Sequence, residues 1–273
     1  MTGSVFALER ASVLRARWVV GAVVLALGIV GLFVGVASRE SAVSGFTGYG
    51  RVLGGVVQGA LVFLPLLGVF STAQAVAAAR QQGVLEWYLS HPLSRERCFS
   101  ALFWPRTLAV MLPMLAAVLG LGLTAAVTGQ PVPLPMLASF AVLLVGQGFC
   151  FSALGMWVGV GARTAEQALL RGLSLWVAAA ALVDFVLIGV LLRWQLPPYL
   201  VFLVASLNPM QAGRVGMLAV LDPELSVLGP VGLWAVTTLG PTWTAAWGLG
   251  WPLVLGMFAW WAARRSFVGG DVL

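Results

Sequence analysis

The sequence predicts an all-α integral membrane protein. Hydrophobic residues make up 60% of the chain and charged residues only 9%, with a mean hydropathy of +1.00. That leaves too little polar surface to cover a water-soluble globule of 273 residues. The apolar residues gather in runs of bilayer length, and the basic residues, all arginine, fall between the runs.

Hydrocarbon offers no partners to unpaired backbone groups, so each run is expected as a helix of roughly 20 residues. Six runs stand out, at 18–37, 56–79, 107–128, 135–161, 173–192 and 244–263. Residues 1–17, with Glu9, Arg10, Arg15 and Arg17, read as an interfacial helix ahead of the first run. That run exceeds the roughly 7 to 15 residues of a signal-peptide core, so an uncleaved anchor is expected. Pro65, Pro113 and Pro252 lie inside runs and are expected as kinks. Gly21, Gly28, Gly31 and Gly35, and Gly155, Gly159 and Gly161, allow helix backbones to approach closely.

A cytoplasmic N-terminus puts Arg10, Arg15, Arg17, Arg80, Arg95, Arg97, Arg106, Arg163, Arg171, Arg264 and Arg265 inside and Arg39, Arg51, Arg193 and Arg214 outside, 11 against 4. This is the asymmetry that basic loops impose on topology, and it places both termini in the cytoplasm. It also accounts for the net charge of +6 without nucleic acid. The segment 193–243 is expected on the periplasmic side as interfacial or re-entrant helices. Its apolar pieces are broken by Asn208, Pro209, Arg214, Asp222, Pro223 and Pro230. An eight-span arrangement leaves the orientation unchanged.

Several chemistries are excluded. The chain has no lysine and no G-x-x-x-x-G-K-[ST] loop, so it is not a P-loop ATPase. His91 is the single histidine, and Cys98 and Cys150 lie far apart, so neither a zinc site nor a disulfide framework is expected. Asp184 is the one carboxylate well inside a run, which makes it a proton-relay candidate, with a neutral or hydrogen-bonded structural carboxyl equally compatible. Gln58, Gln74 and Gln147 read as interhelical hydrogen-bonding residues. Met111, Met114, Cys150 and Met156 are soft enough for copper but read as packing residues.

The loop 80–106 mixes charge with large apolar side chains. Leu85, Tyr88 and Leu89 recur at helical spacing, Pro92 and Ser94 interrupt, and Ser94 with Arg97 is expected to start a second short helix. Such a segment suits either docking onto a partner protein or lying on headgroups.

Gly83, Leu85, Glu86, Leu89, Ser90, Pro92, Ser94 and Arg95 together resemble the signature loop of type-2 ABC-transporter permeases, where it forms the coupling helix. The resemblance covers essentially the whole chain, including the basic N-terminal segment and the outer segment with Asn208, Pro209 and Arg214. It implies a permease subunit without catalytic residues, working as a dimer in the bacterial inner membrane. A separate ATPase subunit would hold ATP and Mg. These loop residues would contact the ATPase, and Asn208, Pro209 and Arg214 would meet an outer partner or form a gate. The sequence is further similar to the Nos-type permease subfamily, which acts with an ATPase and a periplasmic protein in copper-site maturation of nitrous-oxide reductase. The residues 45–51 (GFTGYGR) and Ser266, Phe267, Asp271 and Leu273 carry that narrower likeness. Ala79 to Gln82 and Val84 depart from the usual family pattern. Two other readings are a proton-coupled secondary transporter using Asp184 and a membrane assembly scaffold that moves nothing.

Overall fold

The computed structural model describes residues 13, 19–24, 26–28, 31, 48–90, 93–128, 134–182, 185, 193 and 196–270. Every regular element among them is helical. In chain order they are α1 (Gly48–Gln81), α2 (Val84–Ser90), α3 (Arg95–Thr128), α4 (Leu134–Val160), α5 (Ala165–Val177, continuing into a π-turn Ala178–Leu182), α6 (Pro198–Leu207), α7 (Pro209–Leu221), α8 (Gly229–Thr238) and α9 (Pro241–Gly269). Within the first expected run only 19–24, 26–28 and 31 are described, all helical, and Ala26 packs into the apolar core beside Leu61 and Leu121. The expected interfacial helix, 1–17, lies outside the described residues except for Val13, which is helical.

Among the described residues three helices, in α1, α3 and α4, are both long and apolar enough to cross a membrane. α4 is the central column, packed against α1, α3, α7 and α9. α9 is longer than a bilayer requires, and its ends are marked by exposed Trp243 and Trp247 on one side and Trp261 on the other. From Trp243 to Trp261 is about 27 Å of helix rise, close to the roughly 30 Å hydrocarbon thickness that aromatic belts bracket.

The distribution of polarity is inverted relative to a soluble protein. Leu108, Leu112, Leu119, Leu123 and Val127 form an exposed apolar stripe on α3, while Thr72, Thr107, Gln147, Ser152, Asn208 and Thr244 are buried. Thr72, Gln147 and Asn208 bond to backbone carbonyls of neighbouring elements, while Thr107 and Thr244 bond to carbonyls one turn back in the chain. The Thr72 hydroxyl, 2.8 Å from both the Gly68 and Ser152 carbonyl oxygens, lies between α1 and α4 in this way.

Close crossings carry the glycines. A Cβ on Gly159 would run into the Ala73 carbonyl of α1, and one on Gly216 of α7 would stand 2.8 Å from the Gly248 backbone of α9. Only glycine lets these backbones touch, and dispersion at such contacts replaces the hydrophobic drive that helices lack in lipid.

One boundary differs from expectation. Residues 95–106 are not a loop or a separate short helix but the first turns of α3. Ser94 caps the helix as the sequence suggests, its Oγ accepting from Arg97 N at 3.4 Å. No breaker that a helix cannot absorb follows before Gly129, so the helix runs on into the expected span. Among the described residues the segment 193–243 holds α6, α7, a 3-10 turn at Ser226–Leu228, α8 and the start of α9, with α6 and α7 forming a hairpin broken at Asn208.

Candidate functional site

The sequence singles out two places, a shoulder around α2 and the tip of the α6–α7 hairpin. The shoulder begins where α1 ends. Gly83 has φ +69°, a left-handed turn that favours glycine, and its N–H donates to the Arg80 carbonyl at 3.1 Å. The chain reverses there and starts α2, with Trp87 N–H donating to the Gly83 carbonyl at 3.1 Å. Leu85, fully buried, and Tyr88 enter the core beside Cys98, Phe99 and Leu102. Leu89 packs partly against the same cluster. Glu86 and Ser90 are exposed, and Trp87 is 53% exposed.

Of the expected docking face, Leu85 is turned inward and Leu89 is half-buried. Leu85 is the anchor that clips α2 to the bundle and presents nothing outward. The large apolar side chain on the outer face is Trp87, which the spacing argument passed over because it counted only the Leu85, Tyr88 and Leu89 stripe. Pro92 and His91 lie outside the described residues.

Arginines at this end act chiefly on helix C-termini. Arg80 Nη1 donates to the Ala162 carbonyl at 3.0 Å, and Arg171 Nη1 to the Gly161 carbonyl at 3.0 Å, both just past α4. Arg95, expected to face the ATPase, instead sends Nη1 to the Val268 and Gly270 carbonyls at 3.1 and 2.9 Å, closing the end of α9. Orphan carbonyls and the negative end of the helix dipole both favour a guanidinium there. Thr164 caps α5, its Oγ1 accepting from Gln167 N at 3.2 Å, and Gln81 Oε1 accepts from Ala165 N at 3.3 Å. The shoulder, the α4–α5 turn and the end of α9 are thus stitched together.

At the hairpin tip, Asn208 is 7% exposed and Pro209 is buried. Gln147 Nε2 donates to the Pro209 carbonyl at 2.6 Å. Gln147 is the middle residue of α4, so the tip lies half-way along the bundle's central column. Asn208 Oδ1 accepts from Met210 N at 3.0 Å and caps α7, while its Nδ2 donates to the Ala179 carbonyl of the π-turn at 2.6 Å. Trp251 Nε1 of α9 donates to the Leu207 carbonyl at 3.0 Å. The polar groups freed by the helix break are taken up by α4, α5 and α9. Asn208 and Pro209 thus offer no surface to an outer partner in this structure, because each is spent inside the bundle. Arg214 is half-buried one turn up α7, its Nη1 donating to Gln211 Oε1 at 3.2 Å. Asp184 lies outside the described residues.

The end of the hairpin away from its tip closes on Asp222. Its carboxylate accepts from Ser226 Oγ, Ser226 N and Glu224 N at 2.7, 3.0 and 3.2 Å. The Ser226 side-chain hydrogen bond above all holds its pKa below the ordinary carboxylate value. Among the described residues no three His, Cys, Asp or Glu side chains gather as metal ligands. Cys150, Met156 and Met111 are buried in apolar packing, Met111 lying over Gly148.

An apolar exterior, hydrogen bonds from Thr72, Gln147, Asn208 and Trp251 across to other helices and a charged, capped end define a multi-pass helical membrane protein. The chain matches the model of the ABC-2 family transporter proteins over residues 4–265, nearly its whole length, and belongs to that family. It matches no curated protein. Membership makes it a membrane permease subunit of an ABC transporter, non-catalytic itself, and implies an ATP-binding partner subunit.

Proposed function

We propose that α2 is the element through which the partner ATPase drives this permease, with Glu86, Trp87 and Ser90 as the contact face and Leu85 and Tyr88 as the anchor. The observation that carries this reading is the shape of α2. It is a seven-residue helix clipped to the core on one side and, on the other, exposes a carboxylate beside a large aromatic at the charged end of the bundle. Aromatic residues in a polar rim are what protein interfaces use as anchors. In this reading the charged end faces the cytoplasm, ATP and Mg reside in the partner, and two copies of the chain pair in the bacterial inner membrane. ATP hydrolysis is coupled to export or to a signal received by a periplasmic protein. The Nos-type assignment, with a role in the copper sites of nitrous-oxide reductase, is the narrower form of the proposal. It rests on residues 45–51 and the C-terminal Ser266, Phe267, Asp271 and Leu273, and is tested by the copper content of that enzyme in cells lacking this chain.

The direct test is co-purification in mild detergent with Glu86→Arg and Trp87→Ala. The expected result is loss of the ATPase subunit, with the thermal unfolding of the permease shifted by less than about 0.5 kcal/mol because both side chains are exposed. Unchanged co-purification and coupled ATPase activity overturn the assignment. Transport that persists without ATP and disappears in Asp184→Asn replaces it with a proton-driven carrier.

A further inference from the structure

We propose that the cleft between the start of α3 and the end of α9 binds the headgroup of an anionic phospholipid. The cleft encloses about 300 Å³ and is lined by Glu96, Trp261, Arg264, Arg265, Val268 and Gly269. That volume lies at the small end of the range for small-molecule sites, enough for a phosphodiester headgroup.

Its charge favours an anion. Arg264 Nη2 donates to Glu96 Oε1 at 2.7 Å, and the Arg264 guanidinium also stands 5.7 Å from the Trp260 ring centre. Arg265 has a different setting: its guanidinium lies 5.4 Å from the centre of the Trp261 ring, and among the described residues no carboxylate pairs with it. Among the described lining residues two guanidiniums and one carboxylate leave a net positive charge, and a guanidinium held over an indole face still has N–H groups free for a phosphate.

The approach to the cleft selects a lipid over other anions. Val254, Met257, Phe258 and Trp261 are all exposed and recur at i, i+3, i+4 and i+7 along α9, and Arg265 is the next residue of the same stripe. The stripe is apolar until Trp261 and ends in a cation, which is the polarity of one phospholipid laid along the helix. Its acyl chains would cover Val254 to Phe258 and its phosphate would reach Arg265 across Trp261. Arginine beside tryptophan at a helix end is also where a long cationic side chain reaches from hydrocarbon to the headgroup level. A zwitterionic lipid brings its own cation and gains little at such a cleft, whereas a monoanionic one leaves its phosphate for the arginines. This proposal depends on membrane embedding and is independent of the ATPase contact at α2.

Native mass spectrometry of the full chain tests it, with phosphatidylglycerol and phosphatidylcholine of matched chains at equal concentration in detergent. The expected result is preferential retention of phosphatidylglycerol, a preference reduced about fivefold in Arg265→Gln, and no displacement by equimolar inorganic phosphate. Arg265 is exposed, so its replacement leaves the fold in place; Arg264→Gln, which also breaks the Glu96 pair, is read beside its own thermal unfolding. Equal retention of the two lipids overturns the proposal. So does displacement by inorganic phosphate, which would make the cleft a general anion site. A shift from dimer to monomer in Arg265→Gln with lipid retention unchanged overturns it in favour of a second copy covering this face.

Discussion

The shoulder and the hairpin tip solve opposite problems with the same kinds of residues. At the shoulder, polar groups meet water, so α2 needs only two apolar anchors, and its turn is set by Gly83. Exposed Ser90 bonds locally, its Oγ donating to the Trp87 carbonyl at 2.8 Å. At the tip, half-way along α4, groups released by the break are bonded to other elements of the bundle: Leu207 O to Trp251, Pro209 O to Gln147, and Asn208 to Ala179. The first region is built to be touched from outside, the second to be held from within. Substitutions should therefore cost little stability at the shoulder and much more around the hairpin.

The largest effect is expected where the hairpin seats on α9. Gly248→Val would drive a branched side chain into the Gly216 backbone, with the Ala212 carbonyl also in its path. Neither obstacle is a flexible side-chain end, so the helices must separate, at a cost of roughly 3 kcal/mol. Thermal unfolding in detergent should show a large drop for Gly248→Val and little change for the nearby Gly250→Ala, whose Cβ would meet nothing within 4 Å. Equal effects at both positions would mean that the crossing is looser than its geometry implies.

Asn208→Ala comes next. It removes the cap on Met210 N and the bond to the Ala179 carbonyl together. A helix cap contributes about 1 kcal/mol and an interhelical hydrogen bond in a membrane a similar amount or less, so a loss of about 2 kcal/mol is expected. Asn208→Ser separates the two roles: its hydroxyl keeps a capping oxygen but is too short to reach the Ala179 carbonyl. Denaturant titration should place it between wild type and alanine if both bonds count, and level with alanine if the interhelical bond carries the effect.

How far the sequence foretold these regions follows from where the partners lie. Ser94 as a helix start and the break at Asn208 and Pro209 are local chemistry, written within a few residues, and they are seen in the structure. The depth of the break is not local. It depends on Gln147, 62 positions earlier, whose amide reads from sequence only as some interhelical bond. Arg95 shows the same limit: a basic residue in a charged loop looks solvated until the end of α9, 173 positions on, arrives beside it. The face that α2 turns outward was ambiguous because Leu85, Trp87, Tyr88 and Leu89 are all large. Only the packing of Phe99 and Leu102 against Leu85 decides which of them water sees. In α9 the tryptophans that lower the hydropathy of the run are the same residues that mark its two ends.

The smallest effect tests the shoulder itself. Gly83→Ala adds a Cβ with nothing within 4 Å of it, so no clash contributes. The cost is only that of holding an L-residue at φ +69°, roughly 1 kcal/mol. Gly83→Asn, which tolerates the left-handed region better, should recover part of it. Because α2 hangs from this turn, the alanine variant should weaken ATPase co-purification more than its modest stability loss predicts, with asparagine intermediate in both measurements. If coupling instead follows stability in the same proportion as it does for Asn208→Ala, the turn has no special part in positioning α2, and the contrast between an outward-facing shoulder and an inward-tied hairpin loses its functional half.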